Sequence, residues 1–335
     1  MTSLARNGSD RRLAVLTRVA AFALCTGALA AVQVAPTERP LLLAERFFPG
    51  AGWVEALLLG LYAAWLAGRM LDPAAQPRWR RRVWLVFSAV FFTQLALGLL
   101  GADLLLMTGE LHLPVPALII AGPLFRMEGL FMLLLFVSTV LLVGPAWCSH
   151  LCYIGAWDHA ASRARKRPKP LPAWSRKVRW AILIMTPVTA LLLRTIGIPA
   201  AAAGGLALAF GLAGVALMML LSRRRGTMAH CVVFCPLGLL ANLLGKLSPF
   251  RVAIGDGCTK CLTCIGACRY DALNREQIEQ GRPALSCSLC GDCVGACTEG
   301  WLHYTLAGRT MKAARPSFIV LVAALHALFL GVARM

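Results

Sequence analysis

The sequence predicts a mainly α, polytopic helical membrane protein that carries a small, cysteine-rich α+β domain. Three observations predict this fold class: an apolar fraction of 59%, long apolar runs separated by basic clusters, and a dense group of cysteines towards the C-terminal end. A soluble domain usually contains about 45 to 50% apolar residues. The surplus is therefore expected to face lipid.

The apolar runs predict about six to seven transmembrane helices. An apolar helix of about 20 residues crosses a hydrocarbon core of about 30 Å. Six runs meet this standard and a seventh is shorter; they are Leu13–Val34, Trp53–Leu71, Val83–Met107, Gly129–Trp147, Trp180–Ile198, Gly204–Leu221 and Pro316–Ala333. Prolines interrupt the segment Thr108–Met127, where we expect a short half-helix.

Basic residues indicate how these helices are oriented. Lys and Arg are concentrated near the N-terminus, between the second and third runs, between the fourth and fifth, and after the sixth. These segments fall on one side if every run crosses the membrane once, and the positive-inside rule makes that side cytoplasmic. We therefore expect a multi-pass protein of the cell inner (plasma) membrane. The net charge of +19 then reflects topology, and short clusters of this kind exclude nucleic acid as a partner.

The strongest chemical signal is a repeated C-x2-C-x2-C-x3-C motif. It occurs at Cys258, Cys261, Cys264 and Cys268, and again at Cys287, Cys290, Cys293 and Cys297. In two-cluster ferredoxins, three closely spaced cysteines bind one 4Fe-4S cluster and the fourth binds the other. The sequence therefore predicts two 4Fe-4S clusters with crossed ligand sets: Cys258, Cys261, Cys264 and Cys297 for one, and Cys287, Cys290, Cys293 and Cys268 for the other.

Two zinc ribbons are the alternative reading of this segment, since C-x2-C pairs also suit tetrahedral zinc. A zinc site needs four ligands in two pairs, and two complete repeats leave extra cysteines. The usual proline after the fourth cysteine is absent, and Arg269 and Thr298 stand in its place. This departure removes no ligand.

A second repeat lies at the ends of the fourth and sixth apolar runs. Residues 148–155 and 231–238 each contain a C-x3-C pair followed by glycine. Residues four apart share a helix face, so Cys148, Cys152, Cys231 and Cys235 could form an additional copper or iron site, with His150 and His230 as candidate donors. Alternatively, some of these cysteines are small buried hydrophobes. Cys25, alone within the first run, is read as a packing residue.

These motifs predict the domain organisation. Residues 1–247 form a helical transmembrane domain with two C-x3-C hairpins, residues 248–310 a cytoplasmic ferredoxin-like domain, and residues 311–335 a C-terminal apolar helix. Glu110, His112 and Glu128 flank the broken segment and are candidate proton acceptors for a quinol. His326, inside the last run, is read as a packed histidine rather than a haem ligand.

The ordered set of two C-x3-C hairpins and two ferredoxin motifs resembles the membrane polyferredoxin family, the NapH-, NosR- and CcoG-like 4Fe-4S proteins. The resemblance extends from about the third apolar run to Trp301, and the layout is nearest to the NapH-like type. Tyr153 stands where the family's C-x3-C-P motif has proline. By this resemblance Cys148, Cys152, Cys231 and Cys235 match the family's paired motifs.

Three functions are compatible with these features. The leading hypothesis is respiratory electron transport, in which electrons pass between a quinol or cytoplasmic donor and a membrane or periplasmic redox protein. The second is a copper reductase or metal-handling assembly factor, since thiolates favour cuprous copper. The third is a redox sensor. The chain has no constellation of nucleophile and base, so we expect a component of an oxidoreductase system rather than a stand-alone enzyme.

Overall fold

The computed structural model describes residues 8–37, 40–106 and 113–332. Within these residues, seven helices are long and apolar enough to cross a membrane: Arg11–Val34, Ala51–Met70, Gln76–Leu99, Phe131–Leu151, Ser175–Thr195, Ala200–Arg225 and Ala314–Val332. Helices dominate and the only sheet among the described residues has two strands. The predicted fold class is confirmed.

The described helices and strands follow one another in this order: α1 Gly8–Val34, α2 Leu43–Phe47, α3 Ala51–Met70, α4 Gln76–Leu99, α5 Leu118–Arg126, α6 Phe131–Val143, α7 Tyr153–Ser162, α8 Ser175–Thr195, α9 Ala200–Leu217, α10 Arg223–Arg225, α11 Pro236–Leu244, β1 Phe250–Ile254, α12 Thr263–Ala267, α13 Arg275–Glu279, α14 Asp292–Ala296, β2 Leu302–Leu306 and α15 Ala314–Val332. Single 3-10 or π turns occupy Asp103–Leu105, Gly144–Ala146, Trp147–Leu151, Met218–Ser222, His230–Phe234 and Gly245–Leu247.

The chain divides into two compact units, residues 1–109 with 309–335 and residues 110–308. In the first unit, α1, α3 and α15 pack against one another. Their contact surfaces are rich in small buried residues, including Ala21, Ala63, Ala67 and Ala323. Small side chains let helix backbones approach closely, which is how helices associate where no hydrophobic effect operates.

Arg315 connects the start of α15 to the turn between α3 and α4. Its guanidinium donates to the carbonyl oxygen of Met70 at 2.7 Å, to that of Leu71, and to Gln76 Oε1 at 2.9 Å. These carbonyls lie at the end of α3, where a cation is favoured by the helix dipole. The contact fixes the last apolar helix within the first unit.

The second unit contains both C-x3-C hairpins and both ferredoxin motifs. The predicted half-helix is observed as α5, which contains Pro123. Strands β1 and β2 pair antiparallel, with Val252 opposite Tyr304, and they close the ferredoxin-like segment. Arg194 in the last turn of α8 donates to the carbonyl oxygen of Phe125 at 2.9 Å, which holds the end of α5.

The fourth apolar run is interrupted, which the sequence pattern did not predict. Regular helix ends at Val143 because Gly144 has φ +65°, a conformation open mainly to glycine, and Pro145 follows it. The chain then passes through a 3-10 turn into the π turn Trp147–Leu151. The first C-x3-C pair therefore begins in a distorted turn rather than on a regular helix.

Candidate metal centres

Eight cysteines of the ferredoxin-like segment line two separate cavities. Site 1 is a small cavity lined by Cys258, Cys261, Cys264 and Cys297. Site 2 is a second small cavity lined by Cys268, Cys287, Cys290 and Cys293. The structure thus brings the cysteines together in the crossed groups that the spacing indicates.

The backbone around each site repeats an unusual conformation. Two residues after the first cysteine, Lys260 and Leu289 have φ +56° and +54°; two residues further on, Leu262 and Gly291 have φ +62° and +80°. Alternation of right- and left-handed residues turns successive N–H groups to one side and forms an anion-binding nest. Non-glycine residues in this region cost about 1 to 3 kcal/mol each. Such strain at equivalent positions of both motifs points to a negatively charged group in each cavity.

Short helices produce the crossing of the two cysteine sets. The third cysteine of each motif, Cys264 or Cys293, lies within α12 or α14. The fourth, Cys268 or Cys297, follows the helix in an extended conformation, with φ −78° and ψ 101° or φ −83° and ψ 101°. Each helix therefore separates cysteines that face different cavities.

The four cysteines of the C-x3-C pairs line a third cavity. Site 3, also a small cavity, is lined by Cys148, Cys152, Cys231 and Cys235 together with Trp147 and His230. The repeat therefore brings the two pairs to one place, although they are separated by more than 75 residues in the chain.

The two pairs have nearly the same backbone conformation. In each repeat a π turn, Trp147–Leu151 or His230–Phe234, is followed by an extended cysteine, with φ −81° and ψ 117° at Cys152 and φ −76° and ψ 118° at Cys235. The pairs therefore do not lie on continuous α-helical faces, as the sequence interpretation assumed. Local π geometry is rare and occurs frequently at functional sites.

A helix starts directly after the second cysteine of each pair. Burial raises the pKa of the Cys152 thiol, and hydrogen bonds from the backbone N–H groups of Gly155 and Ile154 in α7 lower it by a smaller amount. Leu237 and Gly238 in α11 do the same at Cys235, where burial and the charge of Cys152 raise the pKa to about 12. Two helix N-termini thus converge on site 3, and such termini favour thiolates. Proline is common at a first helical position but not required there, which explains why Tyr153 can replace it.

Gly238 permits the close approach of α11 to the preceding π turn. A Cβ atom at this position would lie under 3.0 Å from the carbonyl oxygen of Cys231, a backbone atom that cannot move aside alone. The glycine three residues after the second cysteine of this pair therefore has a steric reason.

Asp158 holds the backbone of a site 3 cysteine, and sequence reasoning missed it. Its side chain is completely buried, and Oδ2 accepts a hydrogen bond from the backbone N–H of Cys231 at 2.9 Å. Burial raises the pKa of Asp158 to about 6, although Ser222 and Cys231 lower it by hydrogen bonding. The residue belongs to α7 of the first repeat and holds the π turn of the second. No local motif could have identified this contact, because its partners are 73 residues apart.

The two candidate histidines differ in position. His230 lines site 3, and burial lowers the pKa of its imidazole to about 4, which keeps it neutral. His150 does not belong to the described lining of that cavity; its Nδ1 lies 2.9 Å from Ser149 Oγ. Only His230 therefore remains near the four thiols.

Within the part of the chain that the structure describes, none of the other candidate residues lines any of the three sites. Glu128 is exposed, and Glu110 and His112 lie outside the described residues. His326 is buried in the first unit between Tyr62 and Phe87, with ring centroids 6.0 Å and 5.4 Å away. Cys25 is buried in the hydrophobic core of the same unit.

Four thiols surround each of the three cavities. Among residues 8–37, 40–106 and 113–332, no group of three Cys, His, Asp or Glu side chains is arranged to hold one metal ion. Burial raises the pKa of Cys268 and of Cys287 to about 12, so grouped thiolates need a compensating cationic centre, and thiols that coordinate metal are deprotonated.

A large apolar cleft lies beside site 3. It measures about 790 Å³ and is lined by residues of α5, α8 and α9 and of the segment before α5. Phe210 in its wall stacks on Phe234 with ring centroids 4.4 Å apart, and Phe234 immediately precedes Cys235. Val115 lines the cleft while the next residue, Pro116, lines site 3. The cleft and the cysteine site therefore share a thin wall.

Comparison with known proteins gives one match. Residues 125–172 and 205–254 match the family model described as a 4Fe-4S binding domain, and these segments contain both C-x3-C pairs. No curated protein and no solved structure matches the chain. A 4Fe-4S binding domain in a chain with several apolar helices fits a membrane ferredoxin family and supports an iron-sulfur role in electron transfer.

Proposed function

We propose that this protein is a membrane-bound electron-transfer component with three 4Fe-4S clusters, held at sites 1, 2 and 3. The carrying observation is that three separate cavities are each lined by four cysteines. When bound, such clusters exchange one electron at a time, at potentials between about −700 and +450 mV. The cysteines, nests and helix N-termini of this chain supply the ligands and the N–H groups that stabilise anionic clusters.

The match to a 4Fe-4S binding domain supports iron rather than copper at site 3. The matched segments are the hairpins, and each includes one C-x3-C pair. Soft thiolates suit both cuprous copper and iron-sulfur clusters, but the matched family model is described as a 4Fe-4S binding domain. The site therefore favours electron transfer over metal loading as the role of the membrane cysteines.

A cytoplasmic position for sites 1 and 2 is part of the same proposal. The ferredoxin-like segment contacts the basic segments that follow α7 and α10, since Arg269 donates to the carbonyl oxygens of Arg165, Lys166 and Gly226. Basic loops remain on the cytoplasmic side of inner membranes. Cys261 is exposed, so site 1 offers an accessible edge to a redox protein in the cytoplasm or at the membrane surface.

A quinone or quinol is the proposed partner on the membrane side. Oxidation of a quinol releases two electrons and two protons, and a one-electron centre must accept the electrons singly. The apolar cleft is large enough for a lipid-soluble ring with part of its tail, and the stacked Phe210 and Phe234 together with Val115 and Pro116 lie between it and site 3. Ligand cavities of this kind are mostly apolar with few polar groups, here Thr186, Thr189 and Arg126.

The first experiment is metal and labile-sulfide analysis with low-temperature EPR on anaerobically purified protein. Three clusters predict about twelve irons and twelve sulfides per chain. Replacing Cys148 and Cys231 by serine should remove about four of each, while Cys25→Ser, a buried thiol of the other unit, should remove none. Zinc without labile sulfide would overturn the proposal. Copper in place of the third set of irons would instead favour the metal-handling role.

Occupancy of the cleft is tested by Gly205→Leu. Gly205 lines the cleft and a Cβ atom there meets no atom within 4 Å, so the larger side chain fills ligand space without a clash. Quinol-driven cluster reduction should fall, while iron content stays unchanged. Gly27→Leu is the matched control, because Gly27 also has open space but lies in the first unit. Equal reduction rates in both variants would remove the quinone site from the proposal.

A further inference from the structure

The two ferredoxin motifs have the same cysteines but different flanking residues. After Cys297 the chain continues with Thr298, Glu299 and Gly300, all exposed. After Cys268 it continues with Arg269 and Tyr270, both buried, and Asp271, which is partly buried. Burial of a charged arginine is expected only where partners compensate it.

Arg269 finds those partners at the ends of both hairpins. Its Nη1 donates to the carbonyl oxygens of Ser162 at 3.1 Å, Arg165 at 2.8 Å and Gly226 at 2.8 Å, and Nη2 donates to that of Lys166 at 2.9 Å. Ser162 is the last residue of α7, and Gly226 caps α10. One cation therefore satisfies the terminal carbonyls of two helices, where the helix dipoles also favour positive charge.

The neighbouring residues hold other parts of the same surface. The carbonyl oxygen of Arg269 accepts from the N–H of Met228 at 2.8 Å. Asp271 Oδ2 accepts from the N–H of Leu171 at 3.0 Å. The hydroxyl of Tyr270, which lines site 2, donates to the carbonyl oxygen of Cys148 in site 3 at 3.2 Å.

Contacts from the hairpin side reach the same part of the ferredoxin-like segment. Ser149, between the cysteines of the first pair, donates to the carbonyl oxygen of Ser288 at 2.8 Å. At Gly144 an added Cβ atom would lie 3.0 Å from Leu289, so the glycine allows the site 2 loop to approach. Both Ser288 and Leu289 line site 2. No comparable contact from the hairpins to the site 1 lining is present among the described hydrogen bonds.

We propose that residues 269–271 form a docking clamp, with Arg269 as its central positioning residue, that fixes site 2 against site 3 and leaves site 1 facing the solvent. This inference rests on the proposed electron-transfer function. It gives the three sites an order, in which site 1 exchanges electrons with the outside partner, site 2 lies in the middle, and site 3 faces the membrane partner.

The clamp also explains the missing proline. Cys268 and Cys297 both have the extended conformation that a following proline requires. The conformation of the preceding cysteine therefore excludes proline at neither position, and the contacts of the Arg269 side chain account for arginine at position 269. Thr298 makes no contact of this kind, so the two positions provide a matched pair for mutagenesis.

The test compares Arg269→Pro with Thr298→Pro in the full-length protein. Both variants should retain wild-type iron and sulfide. Only Arg269→Pro should lose the magnetic coupling between sites 2 and 3 in the EPR spectrum of the reduced protein. Hydrogen exchange at the amides of Leu171 and Met228 should become about tenfold faster in that variant, because charge-assisted hydrogen bonds are lost.

Arg269→Lys provides a second variant in case proline prevents folding. Lysine keeps the charge but lacks the planar fork that contacts several carbonyls, so intermediate exchange and weaker coupling are expected. Unchanged coupling and exchange in both Arg269 variants would overturn the clamp, as would equal effects in Thr298→Pro. If wild-type protein contains no iron-sulfur clusters, the proposed function fails, while the hydrogen-exchange comparison still decides whether the clamp exists.

Discussion

Gly238→Ala is expected to remove site 3 selectively. The new methyl group would meet the carbonyl oxygen of Cys231 at under 3.0 Å. Because this oxygen belongs to the backbone of the π turn, relief requires movement of either the turn or α11. The π turn contains Cys231, and Cys235 immediately precedes α11, so the clash acts directly on the spacing of the two cysteines.

The size of the effect follows from overpacking. Inserting one methyl group into a well-packed region costs about 1 to 3 kcal/mol and sometimes more, which corresponds to about a 5- to 150-fold shift in a local equilibrium. Gly266→Ala is the control. Gly266 lies in the short helix α12, has no atom within 4 Å of an added Cβ, and is part of the ferredoxin-like segment. There the substitution should stabilise by about 0.4 to 1 kcal/mol.

Iron and labile-sulfide analysis measures the outcome, with thermal unfolding as a second readout. We expect Gly238→Ala to retain about eight irons and Gly266→Ala about twelve, with EPR signals of sites 1 and 2 preserved in both. Full iron content with a wild-type spectrum in Gly238→Ala would refute the role given to the close approach of α11. Loss of all clusters would show instead that the hairpins are needed for assembly of sites 1 and 2.

Three further outcomes follow from single contacts. Asp158→Ala leaves the buried N–H of Cys231 without its acceptor, which should destabilise the protein by about 1 to 3 kcal/mol. Iron at site 3 should fall, whereas iron at sites 1 and 2 should not. Unchanged iron content and an unchanged unfolding temperature would contradict this. Tyr304→Phe removes a buried 2.9 Å hydrogen bond to the carbonyl oxygen of Leu289, which should destabilise the protein by about 1 kcal/mol. Because Leu289 lines site 2, the EPR signal of site 2 should change while that of site 1 does not. Arg315→Met should lower the unfolding temperature, because the contacts to Met70, Leu71 and Gln76 are lost. Iron content should not change. Loss of iron in this variant would show that the two units depend on each other.

Much of the fold could be predicted because apolar length alone specifies a membrane helix. The seven runs correspond to the seven helices, with shifts at their ends. The exceptions have local causes: the third run was extended to Met107, whereas α4 ends at Leu99 before Gly101 with φ +111°. The division into residues 1–247, 248–310 and 311–335 stays a prediction, although the two compact units divide the chain elsewhere.

The candidate sites were predictable to the extent that the ligands are close in sequence. Fixed cysteine spacing carries the geometry of a loop around a metal cluster, so eight positions could be grouped without a structure. The contacts of Asp158 with Cys231 and of Arg269 with Gly226 span 73 and 43 residues. Hydrogen bonds to backbone groups leave almost no sequence signal, because any residue can supply the carbonyl or N–H. The apolar cleft could not be predicted either, since its lining residues resemble those of any lipid-facing helix.

Comparing the two copies of each internal repeat shows which features are shared by both copies and which concern the surface that one copy contacts. Where their copies agree, as in the left-handed residues of the nests and the helix starts after Cys152 and Cys235, the shared feature serves the bound group. Where they differ, as at Arg269 and Thr298, the difference concerns which surface each copy contacts. A pair of identical copies would leave sites 1 and 2 equivalent. The buried segment 269–271 breaks that equivalence, because it contacts the hairpins beside site 2, whereas Cys261 of site 1 is exposed. In the proposed function this difference gives the electrons a preferred order of sites.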